Sequence, residues 1–188
     1  RSGESEISIP GLFPSQQEGT PELLSSGILV GVPDGYEVSL EDPKVTESLV
    51  ENIFVRPTQK KLRCACPPSF SFNAKIYSQN ETTPDSWVQL HEVGRVQSIR
   101  LFRVELNATR WEPSTHRLRI ATVLETKVHF LKRSEVGPAV LTSQMKELLV
   151  STLANGSDLK QFITTFDMPD QYLMVVADGY REAIQPLV

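Results

Sequence analysis

Residues 118–130 read Leu-Arg-Ile-Ala-Thr-Val-Leu-Glu-Thr-Lys-Val-His-Phe. The even positions are Leu118, Ile120, Thr122, Leu124, Thr126, Val128 and Phe130, and the odd ones include Arg119, Glu125, Lys127 and His129. One face is mostly apolar and the other mostly charged, a period of two that marks a β-strand with one side in a core. A shorter strand precedes it, with Phe102, Val104 and Leu106 on one face and Arg103 and Glu105 on the other. Glu112-Pro113-Ser114-Thr115-His116 between them is a turn sequence. Two alternating segments joined this way predict an antiparallel pair with one face buried. His129 falls on the charged face and reads as a solvated strand histidine.

Further strands are expected upstream. Gly27-Ile28-Leu29-Val30-Gly31-Val32 is an apolar run ended by Pro33-Asp34-Gly35, and Tyr36-Glu37-Val38-Ser39-Leu40 alternates after it. Ile53-Phe54-Val55 is a short run ended by Pro57. Residues 63–73, with Pro67 and Pro68, read as a loop, as do residues 80–85. Downstream the character changes. Residues 132–138 read as a linker, and Leu141, Met145, Leu148, Leu149 and Leu153 follow helical spacing up to the stop at Asn155-Gly156. Tyr172-Leu173-Met174-Val175-Val176 is apolar on both faces, as a central strand is, and Tyr180 to Ile184 begins a helix after Asp178-Gly179. The expected division is a β domain over 1–131, a linker with an amphipathic helix over 132–170, and the first βα unit of an α/β domain over 171–188.

Composition narrows the function classes. The 188 residues carry 19 Lys+Arg against 23 Asp+Glu, a net charge of −4. Phosphate neutralisation needs a basic surplus, so the chain is a poor candidate for binding nucleic acid and no nucleic-acid partner is expected. No apolar run approaches the roughly 20 residues of a membrane-spanning helix, so no membrane span is expected. Thirteen Pro and ten Gly favour a loop-rich β domain over a helical bundle. Cys64 and Cys66 are too close in sequence for an unstrained mutual disulfide, and a zinc site would need further ligands. No metal and no cofactor are expected, and the redox compartment is open. Arg1-Ser2-Gly3-Glu4 shows no secretory signal, which leaves a cytosolic, already processed or trimmed chain. Sequons occur at Asn80, Asn107 and Asn155.

Residues 94–130, with Trp111-Glu112-Pro113-Ser114-Thr115-His116-Arg117-Leu118-Arg119-Ile120 at their centre, resemble the propeptide of gingipain-type cysteine peptidases. Tyr77-Ser78-Gln79-Asn80 looks like the same family's tetrapeptide ahead of the Trp87 strand. Gly19-Thr20-Pro21-Glu22-Leu23-Leu24 is similar to its early Gly-x-Pro-x-Leu-Pro segment, with Leu24 in place of the proline. Gln171 to Asp178 looks like the first strand of the family's caspase-like catalytic domain, and 183–188 fit the helix after it. The resemblance spans roughly residues 19–188.

The resemblance implies an antiparallel, barrel-like β-sandwich that clamps onto the catalytic domain of its own peptidase. Such a propeptide assists folding and blocks the active site until cleaved. It implies an inhibitory basic residue in the loop after Pro57, carried over to Arg63, with Lys60 or Lys61 as alternatives. Cys64-Ala65-Cys66 stands where the family has polar residues. It also implies a secreted or cell-surface location and a parent cysteine endopeptidase with its His and Cys beyond Val188. This chain alone is then expected to be inactive.

Other readings stand beside it. Arg56, Lys60, Lys61 and Arg63 also read as a solvated basic patch that discourages aggregation. Cys64 and Cys66 read as small loop residues, or as a redox latch on the enzyme's nucleophile. Trp87 and Trp111 could form a sugar-stacking platform in an adhesion module. The chain could also be the smaller chain of a processed two-chain peptidase.

Overall fold

The structure, a computed structural model, describes residues 9–15, 17–59 and 70–166. In chain order the elements are β1 (Phe13–Pro14), β2 (Leu24–Pro33), β3 (Tyr36–Leu40), β4 (Lys44–Val50), α1 (Ala74–Ser78), β5 (Val88–Val96), β6 (Ile99–Asn107), β7 (Thr109–Glu112), β8 (Arg117–Glu125), β9 (Val128–Lys132), β10 (Ala139–Thr142), α2 (Ser143–Thr152), α3 (Gly156–Leu159) and β11 (Ile163–Phe166). The mainly antiparallel β architecture expected from the alternating segments is present. The strand expected at 172–176 and the helix start after it lie outside the described residues.

The long alternating segment is two strands, not one. Thr126-Lys127 separates β8 from β9. The partner chain breaks at the same level, so Tyr36–Leu40 pairs with β9 and Lys44–Val50 with β8, both antiparallel. Across the break the Glu41 N–H donates to the Lys127 carbonyl at 2.9 Å, and Thr126 Oγ1 donates to the Glu41 carbonyl at 2.9 Å. These bonds hold the two halves as one bent ribbon. Its expected inner face is inward at Leu118, Ile120, Leu124 and Val128, whereas Phe130 is exposed beyond the bend. His129 is exposed, 3.4 Å from Glu41.

The predicted pairing needs correction. The Phe102–Leu106 strand, β6, does not pair with the 118–130 segment. It lies between β2 and β5 in a four-stranded sheet of order β1-β2-β6-β5. The partner of β8 across the Glu112–His116 turn is the short strand β7, in register Trp111↔Leu118 and Glu112↔Arg117. Alternation states which side chains share a face, not which strand lies alongside.

The sheet β1-β2-β6-β5 is covered on both faces. Val30, Val32, Phe102 and Val104 look toward β3, β9 and Leu124 of the bent ribbon. Leu29, Ile99 and Leu101 look the other way, onto Leu141, Leu149, Leu153, Leu159 and Ile163. This two-sided burial explains why Gly27–Val32 is apolar without alternation.

The second cover is built from the segment read as a linker and helix. The helix is present as α2, capped by the Thr142 hydroxyl accepting from the Met145 N–H. Leu141, however, belongs to β10, which pairs in parallel with β11. The resulting β-α-β unit docks on β2 at Gly31. A Cβ there would stand 2.5 Å from Leu159 Cδ1 and 2.9 Å from Leu153 Cδ1, so glycine leaves room for both leucines. Asn155 bonds both backbone groups of Gly31, accepting at 2.9 Å and donating at 2.7 Å. The Ala154 N–H donates to the Leu29 carbonyl at 2.9 Å.

Two sequon asparagines are thereby committed to the fold. Asn155 Nδ2 is bonded to Gly31, and buried Asn107 Nδ2 donates to the Ser86 carbonyl at 2.9 Å. Asn80 is exposed. No helix among the described residues is long and apolar enough to cross a membrane.

Candidate functional site

Arg63, Lys61, Lys60, Cys64 and Cys66 lie outside the described residues. What the structure gives is the frame that carries them, from Pro57 on one side to Asn73 on the other.

The chain entering this segment is not the strand expected at Ile53-Phe54-Val55. It has no continuous ladder, because its polar groups are taken one at a time. The Ile53 N–H donates to the His116 carbonyl at 2.8 Å, and Trp111 Nε1 donates to the Ile53 carbonyl at 2.9 Å. Tyr77 Oη donates to the Val55 carbonyl at 2.9 Å. Arg56 accepts at its carbonyl from the Glu22 N–H at 2.9 Å, and its guanidinium meets the Glu22 carboxylate at 2.5 Å. Bonds of this kind depend on residues distant in sequence, so the local apolar trio could not disclose them.

Pro57 then bridges to Pro21, and Thr58 exchanges backbone bonds with Thr20 and Gly19 at 2.7 and 2.8 Å. Gly19 has φ +78° and accepts from the Asn73 N–H at 3.0 Å. A Cβ on it would crowd the Asn73 nitrogen at 3.3 Å, so the turn that joins both sides of the frame needs glycine here.

Gln59 closes the frame. Its Nε2 donates to the Ser71 carbonyl at 2.9 Å and to the Pro57 carbonyl at 3.0 Å, while its Oε1 accepts from the Ser71 N–H at 2.9 Å. One side-chain amide thus replaces a backbone bridge between residues 59 and 71. The Ser71 hydroxyl also bonds Glu18. A segment whose ends are fixed loses less freedom on docking than a free tail would.

Beside this stem lies a connected set of aromatic rings. Trp111 is its base, only 1% exposed. Tyr77 packs on it at 5.2 Å between centroids, Phe72 on Tyr77 at 4.5 Å, and Phe54 on both Tyr77 and Trp111 at 5.5 and 5.9 Å. Phe70 stacks near Phe72 at 6.5 Å, and His116 lies parallel to Trp111 at 6.5 Å. Burial, with the nearby charge of Glu22 adding to it, pushes the Tyr77 phenol far above its ordinary value. Tyr77 is therefore a permanent donor to Val55. The outer members remain in solvent: Phe70 is 75% exposed, Phe54 61% and Phe72 48%.

Sequence reasoning missed both the Gln59 clamp and this face. The available signal was Phe70-Ser71-Phe72 directly after the double proline, where a solvated loop has no need of two phenylalanines. The same geometry removes the carbohydrate platform. Trp111 is buried, and the Trp87 ring is covered on one face by the Arg110 guanidinium at 5.1 Å.

A broad groove of about 540 Å³ lies between the break in the ribbon and strands β2 and β6. Val30, Val104, Leu106, Leu124 and Val128 line it, and Glu41, Asp42, Lys44, Glu125 and Lys127 rim it. Among the described residues no group of three or more His, Cys, Asp and Glu is placed to hold a metal ion.

The comparisons with known proteins bear on the family and the fold. The family model Propeptide_C25 matches residues 5–163. Lys-gingipain HG66 of Porphyromonas gingivalis is 23% identical over 194 residues, covering 97% of this chain, and Lys-gingipain W83 of the same species matches equally. The chain spans about a tenth of the length of these curated relatives, 11%. Among solved structures, a complex of the P. gingivalis RgpB pro- and mature domains superposes with a TM-score of 0.62. It is 15% identical, over 79% of this chain and 77% of that one. A structure of P. gingivalis gingipain K, described for its zymogenic latency, gives 0.52 at 22% identity, over 64% and 70% of the two chains. The superpositions bear on the fold, and the family match covers most of the sequence. The resemblance seen in the strand and turn motifs is thereby established, and the chain belongs to the C25 propeptide family of gingipain-type peptidases.

Proposed function

We propose that this chain holds a gingipain-like cysteine endopeptidase latent, acting on the catalytic domain of its own precursor. It assists the folding of that domain and blocks its specificity pocket with a basic residue of the segment after Pro57. Arg63 is the first choice, with Lys61 and Lys60 as the alternatives within the same segment. The complex is exported as a unit to the cell surface or medium.

The observation that carries this reading is the closed stem. Gln59 bonds both backbone groups of Ser71, so the chain on the two sides of the basic segment is joined at one point of the β scaffold. Family membership and the likeness to a pro- and mature-domain complex support it. The chemistry is plain. A guanidinium offers paired donors to a carboxylate at the floor of a pocket, and an ammonium offers a point charge. Pro67 and Pro68 restrict the chain beyond Arg63, which lowers the entropy lost on insertion.

The test is inhibition of the separately produced catalytic domain by the purified chain. Truncating a desolvated anchor of this kind costs about 2 kcal/mol, so Arg63→Ala is expected to raise the inhibition constant about thirtyfold. If Arg63→Ala, Lys61→Ala and Lys60→Ala each inhibit as the unaltered chain does, pocket insertion by this segment is wrong.

A further inference from the structure

We propose that Phe54, Phe70 and Phe72 form a docking surface for the same catalytic domain, an apolar seat beside the point where the inhibitory segment leaves the scaffold. This rests on the reading above and adds the partner's second point of contact.

Chain reach carries the argument. Arg63 is four residues from Gln59, and a fully extended chain spans at most about 3.6 Å per residue. The Cα of Arg63 therefore lies no more than about 14 Å from that of Gln59, and its pocket only an arginine side chain farther. A protein domain is about 30 Å across or more, wider than this reach, so the surface around such a pocket faces the residues next to the clamp. Those residues are Phe70 and Phe72, which bracket Ser71, and Phe54, which shares their ring cluster. Lys60 or Lys61, being nearer to Gln59, would tighten the same limit.

The surface also has the character of an anchor. Aromatic side chains dominate the energetics of interfaces because they bury large area with few rotatable bonds. Here they are held in advance. Phe72 and Phe54 rest on Tyr77 and Trp111, whose polar ends are fixed by the Val55 and Ile53 carbonyls. Three large rings this exposed on one rigid base are satisfied by a partner rather than by water.

The experiment compares Phe70→Ser/Phe72→Ser with Arg63→Ala and with Leu148→Ser, an exposed residue of α2. Each variant of the full chain is titrated against the catalytic domain of the precursor, and melting temperature reports the fold. The double variant is expected to melt as the unaltered chain does and to inhibit about tenfold more weakly, through faster dissociation. Leu148→Ser is expected to stay within about twofold. If the double variant misfolds, Phe70→Lys alone, at the most exposed ring, gives the same readout. Undiminished inhibition by the Phe variants while Arg63→Ala is weakened would overturn the aromatic seat and leave pocket insertion intact. Equal weakening by Leu148→Ser would also overturn it. So would a concentration-dependent dimer of the chain that the double variant abolishes without loss of inhibition, since a second copy would then own the face. Failure of the unaltered chain to inhibit would instead reject the latency reading itself.

Discussion

The β-α-β unit over 139–166 and the aromatic region around Trp111 both extend the β layers, yet they differ in where their large side chains are buried. In the first, Leu141, Leu149, Leu153, Leu159 and Ile163 are buried against β2 and β6, and Asn155 ties the unit to Gly31. In the second, only the base is buried, and Phe54, Phe70 and Phe72 project into solvent. The first packs its inner residues against the sheet and serves stability, while Val140, Met145, Leu148 and Phe166 stay exposed on its outer side. The second has a buried base with exposed rings on top, an arrangement that costs the isolated domain exposed apolar area.

Substitutions in the two regions should therefore separate stability from inhibition. The largest expected effect is Leu159→Ala, which empties a site only 1% exposed. It should cost about 3 kcal/mol in denaturant unfolding, with inhibition kept by the molecules that remain folded. A loss under about 1 kcal/mol would mean that the docked unit is far looser than its packing indicates. Next comes Asn155→Ala, which strips partners from the Gly31 N–H and carbonyl. A cost of about 2 kcal/mol is expected, again read from the unfolding midpoint.

The aromatic side should show the reverse. Gln59→Ala removes the clamp at an exposed-to-half-buried position, so its stability cost should stay below about 1 kcal/mol. Inhibition should nevertheless weaken measurably, because the segment's ends are then joined only through the turn at Gly19. Unchanged inhibition would show that the clamp does not organise the segment.

The smallest effect concerns acid. Burial acts to raise the Glu112 carboxyl, but the hydrogen bonds from Arg119 and Thr115 outweigh it and hold the group below its ordinary value. A carboxylate lowered in the folded state contributes stability that is complete above its unfolded value and is lost as pH falls through the folded one. The difference in urea midpoint between the unaltered chain and Glu112→Gln should thus be present at pH 7 and fade below about pH 4. A difference that persists unchanged at pH 3 would place the contribution in packing rather than charge.

Particular residues show how much could be read in advance. The turn at Asp34-Gly35, the turn at Glu112–His116 and the helix ending before Asn155 were all legible, because each depends on neighbours within a few residues. The inward face of β8 was legible from its alternation. The break at Thr126-Lys127 was not, since nothing in that dipeptide's own chemistry departs from a strand; it matches the interruption after Leu40 in the partner chain. Strand β4 and helix α1 also escaped notice. β4 has weak alternation and α1 is a single turn fixed by Asn73 and by the packing of Tyr77. As for the site, the basic residues were visible as types, whereas the clamp joining Gln59 to Ser71 spans twelve residues and leaves no local mark.

By itself the sequence determined the β class, the sides that face inward, most turns and the family. Those features rest on periods of two or 3.6 residues and on motifs read in order along the chain. Only the tertiary structure decided which strands are neighbours, how the 139–166 unit covers a second face of the sheet, and where the aromatic surface meets the stem. Many of these contacts join residues far apart in sequence, up to 124 positions for Gly31 and Asn155. Such contacts are set by the competition of whole faces for the same apolar partners, and no local pattern encodes that outcome.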